Sequence, residues 1–260
     1  MLWPLHSLPV TPRLPVGGGG DDVVPTLIPP AAFSIDDDSF PEQSVHSFQG
    51  SNHTQAFARV AIVNLAIGIH LIIPAEATNA ATQVQPIVEN GTWVWENTVL
   101  VEGQSVTFRL EGTPDGSEID WRMILASATI SGQDYTHFVL YTATSSIDGT
   151  SSSWSLYYNI EGQGRTRVLD ADYLQTGEQR ELTFSIPETN PNEGARGDSV
   201  TYTSDGNDRV FDYMESPTRN HFIEWNAETA VGSITAWNWN AGTRACWDDN
   251  LDNVPCVPTL

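Results

Sequence analysis

The side chains able to do chemistry in this 260-residue chain are few, and their spacing completes no catalytic or metal-binding set. The run Cys246-Trp247-Asp248-Asp249-Asn250-Leu251-Asp252-Asn253 contains D-x-N-x-D, the opening of a calcium loop. Such a loop needs glycine at position six and glutamate at position twelve, where this chain has Asn253 and Thr259. A solvated acidic loop is the simpler reading. The six histidines are scattered, and no third ligand is indicated beside His137 and His221. No serine sits in a G-x-S-x-G context. The expectation is no metal, no cofactor and no catalytic group.

Two cysteines, Cys246 and Cys256, lie ten residues apart near the C-terminus. That spacing suits a small disulfide loop, which would place the chain in an oxidising compartment; two free thiols are the alternative.

The segment Ser117-Glu118-Ile119-Asp120-Trp121 resembles the catalytic strand of laminarinase-type glycoside hydrolases. In that family a nucleophile Glu, an assisting Asp and an acid/base Glu alternate on one strand and meet in one cleft. The resemblance assigns Glu118 and Asp120 to the first two roles. The place of the second glutamate holds Arg122 or Met123, so nothing there protonates a leaving group. The plainer expectation is the charged outer face of an amphipathic strand.

Nine tryptophans give the best lead to binding. Trp93 and Trp95 share one strand face, as do Trp237 and Trp239, and these four are the candidate ligand-binding residues. They would line a cavity for a small apolar molecule or form a platform for a glycan. The alternative is that they fill a core, since aromatic side chains dominate burial.

These residues sit on a strongly acidic chain, with 33 acidic residues against 11 basic ones and a net charge of −22. Every basic residue is arginine. Such a surface repels phosphate backbones and anionic membranes, so nucleic acid is excluded as a partner and docking on a lipid surface is disfavoured. Concentrated salt would screen the self-repulsion, which points to a halophilic setting.

Four segments must position these groups. Residues 1–50, rich in Pro, Gly, Ser and Asp, read as a disordered tether with Phe33 and Phe40 as docking points. Gly17 to Gly20 followed by Asp21 and Asp22 matches the tether behind a lipidated cysteine, so a misplaced start or a lost upstream signal is expected. Residues 51–90 form a helical segment, with Asn52 as N-cap and Gln55 three positions on. Its run Ala56 to Ile73 is apolar almost all round, and Pro74 should kink or restart it. The uncharged 14 residues from Val60 to Ile73 fall short of the roughly 20 a membrane span needs, so packing on the β-domain is expected instead.

From Gly91 the apolar period becomes two. Val106, Phe108 and Leu110 share one face; so do Ile119, Trp121, Met123 and Leu125, and later Trp154, Leu156, Tyr158 and Ile160. Asp-Gly pairs punctuate about ten such strands. Residues 91–247 are therefore an all-β antiparallel meander closing as a barrel or sandwich, and residues 248–260 a tail with the disulfide loop. An echo of His137…Gly149…Trp154 in His221…Gly232…Trp237 reads as a duplicated hairpin pair, with chance among aromatic-rich strands the alternative.

The tract from Trp93 to Trp154 with TSSIDGTSSSWSLYY, and the ending IEWN…GSI…W…CW, resembles uncharacterised bacterial surface lipoproteins with a tryptophan-rich β-meander. The resemblance implies an envelope location and supplies no activity. The expected function is a non-catalytic, salt-adapted extracytoplasmic domain that binds a ligand or partner, without a transmembrane segment and attached to membrane only through a lost lipid anchor. The alternative is a β-sandwich glycoside hydrolase using Glu118 and Asp120.

Overall fold

The computed structural model describes residues 24–35, 50–101, 103–130, 133–190, 193–216 and 218–256. Phe40 and Thr259, with residues 1–23 and 36–49 of the expected tether, lie outside the described residues. The period-two segments are strands: β1 Ile87–Glu89, β2 Thr92–Val101, β3 Gln104–Asp115, β4 Glu118–Ile130, β5 Gln133–Ser146, β6 Ser151–Ile160 and β7 Gly164–Thr176. They continue as β8 Gln179–Ser185, β9 Ser199–Asp205, β10 Asp208–Ser216, β11 Arg219–Asn226, β12 Gly232–Ala236, β13 Ala245–Trp247 and β14 Asn253–Val254.

Their hydrogen-bonded order is their order in the chain, an antiparallel meander as the short turns require. Of the expected barrel or sandwich, the closed barrel is not found. Closure would need the first and last strands to pair, and the hydrogen-bonded order instead begins at β1 and ends at β14. The all-β class holds.

The chain divides into two compact units, one of Met1–Phe33 with His70–Thr166, the other of Ser34–Ile69 with Arg167–Leu260. In the first, the residues assigned to the inner face are buried: Val106, Phe108 and Leu110 on β3, and Ile119, Trp121, Met123 and Leu125 on β4. Trp95 on β2 meets Trp121 at 5.8 Å between ring centroids, and the Trp121 Nε1 donates to Ser145 Oγ at 2.8 Å. Ile28, Ala32 and Phe33, within the segment read as tether, are also buried, with Phe33 set 4.4 Å from the Trp154 ring. In the second unit the core takes Leu182, Phe184, Tyr202, Phe211, Ile223, Trp225, Ile234 and Trp247.

Glycine shapes both cores. Gly112 on β3 lies directly opposite Trp121 on β4, and a Cβ there would come within 2.8 Å of the indole. Gly232 on β12 lies opposite Trp247 on β13, where a Cβ would meet the indole at 2.2 Å. Each ring lies over a residue without a side chain, a close approach that only glycine allows.

The helical segment is one element, α1, Asn52–Ala81. Pro74 lies inside it, so of the expected kink or restart the restart is not found. The N-cap is Ser51, not Asn52: the Ser51 Oγ accepts from the Thr54 backbone N–H at 3.1 Å. Asn52 is thereby released for tertiary bonds. Continuous through Pro74, α1 is long and apolar enough to cross a membrane by length and composition alone, so the shortfall read from the 14-residue stretch does not hold.

Cys246 and Cys256 form a disulfide with Cα atoms 5.2 Å apart. It closes the turn around β14 onto β13, next to the start of α1, where the Asn52 side-chain amide donates to the Cys246 carbonyl at 2.8 Å. Reduction, or Cys256→Ser, should lower stability by about 2–3 kcal/mol by freeing a short loop in the unfolded chain. Urea melts with and without reductant check this; coincident curves would refute it.

Candidate functional site

The four candidate tryptophans differ sharply in their surroundings. Trp95 is 2 % exposed and lies in the core of the first unit, with no face open to a ligand. Trp93, two residues earlier, is half-buried. In the second unit Trp237 follows β12 and is 41 % exposed, with the Arg219 guanidinium 4.9 Å from its ring centroid. Trp239 is half-buried, and its Nε1 donates to the Asn52 Oδ1 at 3.1 Å. A turn in which Asn240, Ala241 and Gly242 all have positive φ follows it. Trp237 and Trp239 therefore have different tasks: one is presented to solvent, the other ties the loop to α1.

Glu118 and Asp120 both lie on the exposed face of β4. Asp120 accepts a hydrogen bond from the Thr144 hydroxyl at 3.3 Å. Arg122, next on that face, pairs with Glu111 at 2.7 Å, while Met123 is fully buried in the opposite direction. Glu111 also pairs with Arg109, which reaches Glu89 and Glu96 besides. Burial pushes the Glu111 carboxyl up, but the two guanidiniums outweigh it and hold it below the usual carboxylate range. This strand face is an ion-paired surface of arginines bridging acids. Among the described residues, no group of three or more His, Cys, Asp or Glu is arranged to hold a metal ion. The Asp248 carboxylate faces its own loop, accepting from the backbone N–H groups of Asn250 and Asp252, both at 3.0 Å.

The two echoed histidines also differ, since His137 is exposed whereas His221 on β11 is buried. The His221 Nδ1 accepts from the Arg59 Nε at 3.1 Å, which fixes the neutral tautomer with its proton on Nε2. That proton is directed at Glu215 Oε1, 3.3 Å away. Tyr213 stacks on the imidazole with ring centroids 5.5 Å apart and donates its hydroxyl to Asp198 at 2.9 Å. Burial pulls the His221 imidazole below its usual range and Arg59 adds to this, against the pull of Glu215. With both ring nitrogens occupied, His221 is a fastening for Arg59. It is not a free base or ligand.

Arg59 completes the fastening. Its NH1 donates to the Gln55 carbonyl at 2.7 Å and its NH2 to Asn238 Oδ1 at 2.8 Å. Beside it the Asn52 backbone N–H donates to Asn253 Oδ1 at 2.8 Å, and His53 meets the Trp247 indole edge-on at 5.6 Å. The first turns of α1 are thus bound to the second unit by polar groups on one side.

Among the described residues, little covers the other side of the helix. Ile62, Leu65 and Ile69 are 68, 67 and 62 % exposed, and Ala66 lies exposed beside them. Spaced by three and four, they form one stripe. Sequence reasoning saw a helix apolar all round but could not say which half the protein leaves uncovered. Models of protein families, curated proteins and solved structures give no match to this chain. The stripe is accordingly judged on its chemistry. A surface helix ordinarily turns polar residues outward, and contiguous exposed aliphatic side chains mark an interaction surface.

Proposed function

We propose that this protein is a non-catalytic, salt-adapted β-domain working outside the cytoplasm, and that it docks on a partner through the outer face of α1. The observation that carries this reading is the exposed Ile62–Leu65–Ile69 stripe on a helix otherwise held by Arg59, Asn52 and His53. The Cys246–Cys256 disulfide supports an oxidising compartment, and the −22 charge supports a salt-rich one. A second reading, glycan binding, is favoured by Trp237 alone, whose exposed indole lies close to the side chain of Arg219.

The docking reading is tested with Nile red, an uncharged dye that brightens on apolar surface. Wild-type protein should enhance its emission, and Leu65→Asp with Ile69→Asp should remove most of the enhancement while leaving the melting temperature unchanged. A dark wild-type sample would overturn the reading.

A further inference from the structure

We propose that the partner of the α1 stripe is an electrically neutral lipid bilayer, with the helix lying in the plane of the interface. The proposal rests on the docking reading above and names its occupant. The first argument is the chemistry of the stripe. Ile62, Leu65, Ala66 and Ile69 are purely aliphatic, without the Trp, Tyr or Arg anchors that dominate protein–protein hot spots. Such a surface matches acyl chains better than another protein.

The second argument is charge. Wherever salt does not screen it, a second copy would bring another −22 against the first, and anionic lipid would repel the chain as well. A zwitterionic headgroup does neither. Between Arg59 and Glu76 the helix has no charged residue over about four turns, with Asn64 and His70 its polar positions. Arg59 itself is turned to His221 and Asn238, so it does not need to enter lipid.

Ala56, Val60 and Ile67 on the same helix are buried in the second unit. A helix held on one side by the protein has only its outer half to give, so it lies on the membrane and does not cross it.

The test uses full-length oxidised protein and flotation with phosphatidylcholine vesicles, at low salt and at about 1 M KCl, where the Debye length is about 3 Å. Wild-type protein should co-float in both. Ile62→Asp with Leu65→Asp should reduce the bound fraction at least tenfold without moving the melting temperature. Vesicles containing phosphatidylglycerol should bind less at low salt and recover at high salt. No flotation at either salt would overturn the proposal. So would a wild-type dimer in light scattering that the same two substitutions split, because a second copy would then be the occupant and the docking reading would stand. Retained flotation in the double variant would also overturn it.

Discussion

Gly232→Ala should cost the protein about 3 kcal/mol, a fall in melting temperature of roughly 6–12 °C for a chain of this size. Gly232 lies between Trp225 on β11 and Trp247 on β13, each its direct cross-strand partner. A methyl group there would stand 2.2 Å from the Trp247 ring and 2.5 Å from the Glu224 carbonyl. The carbonyl belongs to a paired strand and cannot retreat. The ring cannot shift cheaply either, because its Nε1 donates to the Ala230 carbonyl at 2.7 Å and the indole is 1 % exposed. Displacing Trp247 also moves the surface that His53 meets, so the start of α1 should loosen along with the sheet. Thermal melts followed by tryptophan fluorescence read the effect. A variant melting within about 2 °C of wild type, less than the shift expected for 1 kcal/mol, would show that the indole yields freely.

Acidification should destabilise the protein through its buried histidines, starting as the pH falls below about 6.5, the ordinary imidazole value. Burial lowers the pKa of His53, His70 and His221 in the folded protein, so the unfolded chain binds more protons in the window below 6.5. Stability is full above that window and is lost as pH falls toward the folded values. Asp198 has the opposite sign: burial raises its pKa, so it favours folding as pH falls toward its ordinary value near 4. His221 should contribute most to the local response, because a proton on its Nδ1 removes the acceptor for Arg59 and sets two cations face to face.

Two substitutions separate that loss from ordinary truncation. At pH 8, His221→Phe should cost about 1–3 kcal/mol by leaving the Arg59 Nε without its acceptor. His221→Gln offers an amide oxygen instead, and should retain stability at pH 8 with a shallower decline toward pH 5. Urea midpoints across that range provide the measurement. An unchanged slope in the Gln variant would remove His221 from the response.

The sequence by itself determined the local architecture. Alternation in VTFRL and EIDWRMIL decided which side chains are buried, because a strand turns successive residues to opposite faces whatever its neighbours are. Asp-Gly turns made the meander, since they join adjacent antiparallel strands and nothing more distant. The cysteine spacing of ten foretold the disulfide for a similar reason, as a short loop brings its ends together.

What lay beyond local rules came only with the tertiary structure. Barrel closure depends on pairing between strands at opposite ends of the chain, and no pattern within either strand encodes it. The helix cap moved from Asn52 to Ser51 because distant partners, Cys246, Asn253 and Trp239, claim the Asn52 groups. The tryptophans separated into core, tether and exposed ring through tertiary contacts: Trp95 meets Trp121, Trp239 meets Asn52, and Trp237 lies beside the flexible arm of Arg219. Most of all, an apolar run states that a helix avoids water but not on how many sides. Which half of α1 stays bare was decided by where Arg59 found His221, two residues separated by 162 positions in the chain.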